Sequence, residues 1–481
     1  MRILHVSTHD IKGGAARSSY RLHQAMQRLG HESTMLVGTR HSNDSAVTAF
    51  VPARDLMTRL RRRVRRNRID QDFAAHGASR PTGLEPFGDD RSMHAIDLMK
   101  HAPPCDVITL QWVAGFIDYQ AFFSARQLEG TPVVWQLHDM NILTGGCHYD
   151  EECGRHRTQC GACPQLGSTD PEDLSRQIWK RKQAVFGALE AKQLHIVAPS
   201  RWMLELVKES PLLSRFPATL IPYGVDVEEF APRDRRFARE MLDIPQGAQV
   251  VMFVSDNLTN RRKGGSYLSS ALSELPQAHN LFLISVGSGN PPDTGAIPCL
   301  HMGYVTDNRW LSMIYSAADL FVIPSMQDNL PNTVLESMAC GTPVVGFDVG
   351  GIPDMVRPGR TGHLVPVGDS VALHHAMTQL LNAPSVLRQM GDECRKVAME
   401  EYSYESSALR HATLYESLVR QAPRGMEGCF PSSADGDSSE IPAVDQSSLR
   451  DYEWQLHGDS GNLGGSRSSR NVDIRKFRQA T

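Results

Sequence analysis

Short runs of apolar residues recur along this chain, each followed by a longer stretch with helical spacing. Residues 3–7, 34–37, 107–110, 133–137 and 195–198 make one series, and residues 250–254, 281–286, 320–323 and 344–347 make a second. The runs are apolar on both faces, which predicts parallel strands covered by helices on either side. Two series predict an α/β protein of two Rossmann-like halves, with ligands bound at the carboxyl ends of the strands. The boundaries read as 1–200 and 201–423, with the crossing near residues 198–232. A last helical stretch, 370–421, is expected to cover the second sheet. Residues 424–481 turn rich in Ser, Gly and Asp and lose the apolar period, the composition of a disordered tail.

Candidate chemistry concentrates in the second series. After the run 320–323 comes Asp328-Asn329-Leu330-Pro331, and Glu336 follows eight positions after Asp328, one turn into an apolar helix. Glycine-rich loops flank that helix, with Gly350-Gly351 in the second. Carboxylates accept hydrogen bonds from sugar and ribose hydroxyls, and loop amides and helix N-termini take phosphates, so the segment suits a bound sugar nucleotide. The loop Asn260-Arg261-Arg262-Lys263-Gly264 follows the run 250–254. Fixed cations there would stabilise charge building on a departing diphosphate; a bare basic triplet also reads as a solvated patch.

The first half carries four further constellations. Gly13-Gly14 joins the first strand to a helix, either as a close-approach site for an anionic group or as a plain turn. On that helix Arg17 and Arg21, four apart, face one direction, toward the site or toward solvent. His138-Asp139 ends the run 133–137, with His138 as polar support for a sugar and Asp139 orienting its ring, or as a structural histidine. Cys147, Cys153, Cys160 and Cys163 lie within seventeen residues of an insertion, 144–168, together with His148 and His156. Cys160-Gly-Ala-Cys163 has the spacing of a zinc half-site, so structural zinc stands beside free or redox-labile thiols. Finally, eight arginines fall between Arg54 and Arg68, with Leu56, Leu60 and Val64 four apart. That is a cationic amphipathic helix for an anionic membrane surface, or a solvated helix. No aromatic residues interleave for base stacking, which argues against nucleic acid.

The acidic segment resembles the motif of the retaining glycosyltransferases of family four, which have the GT-B fold. Asp328 stands where the family has Glu, Asn329 where it has Gly, and Glu336 keeps the spacing. Asn329 is expected to keep the loop intact because Asn tolerates left-handed backbone. Lys263-Gly264 matches the end of the family's basic pair, His138 its active-site histidine, and Ile221-Pro222-Tyr223-Gly224-Val225-Asp226 its inter-domain signature, with Tyr223 for Asn. The Thr144-Gly145-Gly146-Cys147-His148-Tyr149 insertion is similar to one in bacterial polysaccharide glycosyltransferases. The resemblance covers about residues 1–420 and implies that the end of the last helical stretch crosses back to the first half. It implies a nucleotide-sugar donor in the second half, with Glu336 on the ribose and Asp328 on the sugar hydroxyls. Asn329 and Leu330 amides lie nearby, Gly350-Gly351 border the same crevice, and Arg262 and Lys263 bind the diphosphate. It further implies donor phosphate or acceptor at Gly13 and Gly14, a glycan or lipid-linked acceptor in the first half, and retention without a catalytic metal. A catalytically silent relative stays open through Asp328, as does an epimerase or phosphorylase on the same fold. No Gly-x-Gly-x-x-Gly follows the first strand, which disfavours a dinucleotide-dependent dehydrogenase.

Composition changes this picture little. With 481 residues there is room for two domains, a net charge of −4 selects no partner, and no run of about 20 apolar residues predicts a membrane span. The chain opens directly on a strand, leaving no room for a signal peptide. The expected compartment is the cytoplasm, with peripheral contact to the inner face of the plasma membrane. The nine cysteines would then be mostly reduced.

Overall fold

The computed structural model describes residues 1–94, 102–125, 130–273 and 280–422. The predicted tail, 424–481, lies outside the described residues. Two all-parallel sheets carry the fold. The first contains β1 (Arg2–His9), β2 (Glu32–Thr39), β3 (Val47–Ala49), β4 (Val107–Leu110), β5 (Val133–Gln136), β6 (Leu194–Ala198) and β7 (Ala218–Leu220), in the order β3-β2-β1-β4-β5-β6-β7. The second contains β8 (Gln249–Asn257), β9 (Leu281–Ser288), β10 (Cys299–His301), β11 (Leu320–Ile323), β12 (Val344–Phe347) and β13 (Gly362–Val365), in the order β10-β9-β8-β11-β12-β13. Central strands such as β4 and β11 are buried at every residue, as continuous apolar runs require when helices cover both faces.

Every strand expected from the apolar pattern is present. The four that it missed, β3, β7, β10 and β13, are the four sheet edges. Each is three or four residues long and only partly buried, so no apolar run announces it.

Two boundaries differ from expectation. The break at residue 200 falls inside the first unit, because the helix Arg201–Glu209 and β7 complete the first sheet beside β6. The stretch 370–421 is three helices, Ser370–Leu381, Pro384–Glu401 and Tyr404–Gln421. Pro384 has no N–H to continue a helix and opens the second one instead. Ser403 caps the third by accepting from Ser406 N. The first two pack on the second sheet. The third returns to the first unit, burying Ala408, Ala412 and Tyr415 against Ile3, Leu22, Val107 and Val134.

The outgoing and returning crossings run side by side. Val225 N donates to Tyr402 O at 2.8 Å and Tyr404 N donates to Val225 O at 3.1 Å. A Cβ on Gly224 would lie 2.9 Å from Tyr404 Cα, so only glycine lets the two segments meet this closely. Strand order reverses between β1 and β4 and between β8 and β11, which opens a crevice at the carboxyl end of each sheet. Among the described residues no helix is long and apolar enough to cross a membrane.

Candidate active site

Both crevices open on the same cleft, and the predicted residues gather there. After β8, Asn260 caps a short turn, Arg261–Lys263, by accepting from Arg262 N. Gly264 ends that turn at φ 72°, and a Cβ on it would lie 1.7 Å from Pro324 O. This contact seats the basic turn directly on the loop after β11. Lys263 Nζ consequently donates to Asp328 Oδ2 at 2.6 Å, with Ser325 Oγ at 3.3 Å and an Arg262 nitrogen at 3.4 Å from the same oxygen. Burial alone would raise the Asp328 pKa; Lys263 and Arg262 outweigh it and hold the group below the usual carboxylate range. Asp328 is therefore a buried anion with its cation attached.

Gly350 and Gly351 shape this loop from behind. A Cβ on Gly350 would lie 1.9 Å from Asp328 O, and one on Gly351 would lie 1.7 Å from Asn329 O. The amide of Gly351 donates to Asp328 O at 3.0 Å. What the glycine pair provides in this structure is close backbone packing. Asn329 does not adopt the left-handed backbone that its family position suggested; the described non-glycine residues with positive φ are Glu151, Glu152, Ala162 and Asp243. Its side chain instead reaches the first half, accepting from Ser200 Oγ at 2.8 Å and donating to Leu137 O at 3.4 Å. Leu330 is buried in the second core.

Glu336 lies in the helix Asn332–Ala339 and is buried. Its Oε1 accepts from Arg21 at 2.6 Å and its Oε2 accepts from the Tyr315 hydroxyl at 3.2 Å. Arg21 is thus no solvated residue: it crosses the cleft from the first half, with its guanidinium 5.3 Å from the centre of the Phe230 ring. One turn earlier, Arg17 reaches Tyr304 and the Val305 carbonyl, so the face with period four points at the other half. Gly13 takes φ 89° at the start of the helix Gly14–Arg28. The carbonyl of Gly14 accepts from Asn332 Nδ2 at 3.0 Å, which joins the glycine loop to the Glu336 helix.

His138 follows β5 and faces the same cleft. Gln111 Oε1, 2.9 Å away, accepts from its Nε2–H, and Nδ1 lies 2.9 Å from the Tyr223 hydroxyl. Burial lowers the ring pKa to about 4, so the imidazole is neutral at physiological pH. Asp139 does not orient this ring. It accepts from His148 Nδ1 at 2.6 Å and from Trp112 Nε1 at 2.8 Å, because the chain turns after His138 and sends Asp139 the other way. Tyr223, noted in the sequence only as a departure from Asn, and Gln111, at the end of β4, are the partners that sequence reasoning missed.

Arg262 departs most from expectation. Its Nε donates to Glu85 Oε1 at 2.8 Å, its Nη1 donates to Gln327 O at 2.6 Å, and its guanidinium carbon sits 3.9 Å from the Tyr149 ring centre. Glu85 and Tyr149 belong to the first half. Gln327 also meets the insertion, donating to Asp150 Oδ1 at 2.8 Å and accepting from Glu151 N at 3.2 Å. The insertion therefore packs against the loop after β11 in the second half.

The four insertion cysteines are brought near one another: Cys147 lies within electrostatic reach of Cys160 and Cys163, and Cys153 within reach of both of those. Among the described residues no group of three or more His, Cys, Asp or Glu side chains is arranged to hold a metal ion. Cys147 and Cys163 pack with Phe87, Leu166, Leu174 and Ile178, as small apolar residues do. Burial pushes the Cys160 thiol up to about 12 in the metal-free chain. The insertion is held by Lys182, whose buried ammonium donates to the carbonyls of Asn141 at 2.5 Å and Thr144 at 3.1 Å.

Residues Leu56–Ala74 form a helix with no buried residue, and Leu56, Met57, Leu60 and Val64 are all exposed. Its apolar stripe faces outward, and Arg65 ties it to Asp118 of the first half.

Comparison with known proteins agrees with this geometry. Residues 248–383, which contain Lys263, Asp328, Glu336 and Gly350-Gly351, match the family model described as glycosyl transferases group 1. The D-inositol 3-phosphate glycosyltransferase 2 of Catenulispora acidiphila is 30% identical over 327 residues, 64% of this chain and 69% of that one. The MMP alpha-(1->4)-mannosyltransferase of Mycolicibacterium hassiacum is 24% identical over 377 residues, 71% of this chain and 89% of that one. The crystal structure of Anabaena HepE in complex with UDP-glucose covers 87% of this chain and 100% of its own at TM-score 0.58 and 17% identity, a likeness of fold. A paired-sheet cleft that carries the matched acidic and basic loops, in a chain alike along most of its length to named glycosyltransferases, places the protein in a family: it belongs to the group 1 glycosyltransferases, with the GT-B architecture.

Proposed function

We propose that the protein moves a sugar from a nucleotide-sugar donor to a glycan or lipid-linked saccharide acceptor, with retention, in the synthesis of a surface polysaccharide. The observation that carries this reading is the Lys263–Asp328 pair at the carboxyl end of β11, on a loop whose next residue, Asn329, reaches Leu137 O beside His138. A carboxylate with its cation attached can accept from sugar hydroxyls while the cation meets the diphosphate. The donor class is supported by the fold shared with HepE, whose structure holds UDP-glucose. Glu336 would take the ribose, and Gly13-Gly14, at the mouth of β1, a phosphate or the acceptor.

In the proposed step the bond from the anomeric carbon to the diphosphate oxygen breaks. The acceptor oxygen bonds the same face of that carbon, and its proton passes to the leaving phosphate. His138 supports the sugar as a neutral ring and takes no proton, consistent with its pKa of about 4. The exposed helix Leu56–Ala74 would hold the protein on an anionic membrane surface, on the cytoplasmic side, where lipid-linked acceptors lie.

A panel of nucleotide sugars in a thermal-shift screen identifies the donor, since a bound ligand raises the melting midpoint. Product analysis with the radiolabelled donor then shows an elongated saccharide. A donor changed in configuration, or released sugar phosphate, would instead mark an epimerase or a phosphorylase. No product of any kind would mark a silent relative.

A further inference from the structure

Three N–H groups of the basic turn converge on one oxygen atom. Asn260 Nδ2 lies 2.7 Å from Glu85 Oε1, Arg262 Nε lies 2.8 Å from it, and Arg262 Nη2 lies 2.5 Å from it. Such a fork on a single oxygen is the geometry with which proteins hold a phosphate or carboxylate oxygen. Its donors come from the second half, on the loop after β8, while the oxygen comes from the first.

The cradle itself is rigid. Arg262 is buried, its remaining Nη1 is held by Gln327 O, and its flat face rests on Tyr149. The oxygen it holds is the more movable partner. Glu85 lies in a segment without helix or strand, and its side chain is 19% exposed against 6% for Arg262. Burial would raise the Glu85 pKa, but Arg262 first and Lys263 second pull it below the ordinary value, so the carboxylate sits where two fixed cations favour negative charge. With Glu85 in place, every nitrogen of Arg262 already has a protein partner: Nε and Nη2 on Glu85, and Nη1 on Gln327 O with Asp328 Oδ2 at 3.4 Å. Lys263 is the basic residue of the turn that faces the cleft beside Asp328.

We propose that the Asn260–Arg262 cradle is the seat of one phosphate oxygen of the donor diphosphate, and that Glu85 is its resident competitor, which the donor must displace. This rests on the reading of the Lys263–Asp328 cleft as the donor site. Displacement exchanges one carboxylate for a more highly charged diphosphate on the same donors, so it selects for that charge. It also carries a signal outward. Two residues on from Glu85, Phe87 bridges to Cys147, and Gly88 N donates to Gly146 O at 2.7 Å, so release of Glu85 loosens the attachment of the Cys-rich insertion.

The test is titration calorimetry of the full chain with inorganic pyrophosphate and with UDP, GDP and ADP, on wild type, Glu85→Gln, Glu85→Ala and Lys263→Ala. Circular dichroism checks that each variant is folded. If Glu85 competes, both Glu85 variants bind pyrophosphate and the preferred nucleoside diphosphate about tenfold tighter or more. Unchanged or weaker binding in both variants, with Lys263→Ala still impaired, overturns the competitor and leaves the donor site standing. Binding that Lys263→Ala leaves untouched overturns the donor-site reading and this proposal with it. Pyrophosphate that binds neither wild type nor the Glu85 variants also overturns the proposal.

Discussion

Replacing Arg21 with Leu should be the most damaging change to stability that leaves the two cores intact. Arg21 and Glu336 are paired at 2.6 Å with side chains only 5% exposed on each side. Removing the cation leaves a carboxylate in a site built for an ion pair, with the Tyr315 hydroxyl at 3.2 Å as its remaining partner. Breaking a buried pair from one side costs roughly 3–5 kcal/mol, because an uncompensated charge stays behind. At about 2–4 °C per kcal/mol for a domain of this size, the melting midpoint should fall by roughly 6–20 °C. Converting both partners, as Arg21→Leu with Glu336→Leu, removes the stranded charge and should recover most of that loss. The assay is a double-mutant cycle on thermal midpoints at pH 7, with Glu336→Leu as the second single variant. A midpoint for Arg21→Leu within about 2 °C of wild type, or single effects that simply add in the double variant, would refute the reasoning.

Other expectations are equally concrete. Lys263→Met should lower the transfer rate by about 10²–10³, the usual cost of one fixed group that stabilises developing charge, read in the radiolabelled-donor assay. His138 ionises near 4 in the folded protein against an ordinary 6.5, through burial. The unfolded chain therefore takes a proton that the folded one refuses. This contribution to stability is intact above pH 6.5 and is lost as pH falls toward 4, up to about 3 kcal/mol. Wild type should lose more stability than His138→Gln across that window, and parallel curves would exclude the effect. Charge reversal at three exposed arginines of the helix Leu56–Ala74 should weaken binding to anionic vesicles about 100-fold, at about 1 kcal/mol for each arginine, with no change on neutral vesicles.

The sheets were legible because a parallel strand buried on both faces must be an unbroken apolar run. The same logic explains why β3, β7, β10 and β13 were not: an edge strand lacks the second neighbour that demands one. The acidic and basic loops of the second half were legible because they are local, each side chain within a few residues of a strand end. Their partners were not. Arg21 finds Glu336, and Glu85 finds Arg262, across 315 and 177 positions of chain. Spacing four on the first helix hinted at Arg21; nothing in the sequence marks Glu85. Gly350 and Gly351 illustrate a different gap. Their presence near a crevice was readable, but whether a missing Cβ serves a ligand or a neighbouring carbonyl depends on distances that only the fold sets.

The return of the helix Tyr404–Gln421 to the first unit bears on how the protein is made. A nascent chain that has just finished β7 still lacks the segment that shields Ile3, Leu22 and Val134. At about 5–20 residues per second, roughly 10–40 s of synthesis separate that strand from Tyr415. Over that interval an apolar face of the earliest-made domain waits uncovered, a natural stop for a chaperone on the ribosome. A cut between β7 and the helix Tyr404–Gln421 can then never yield a first unit with its own cover.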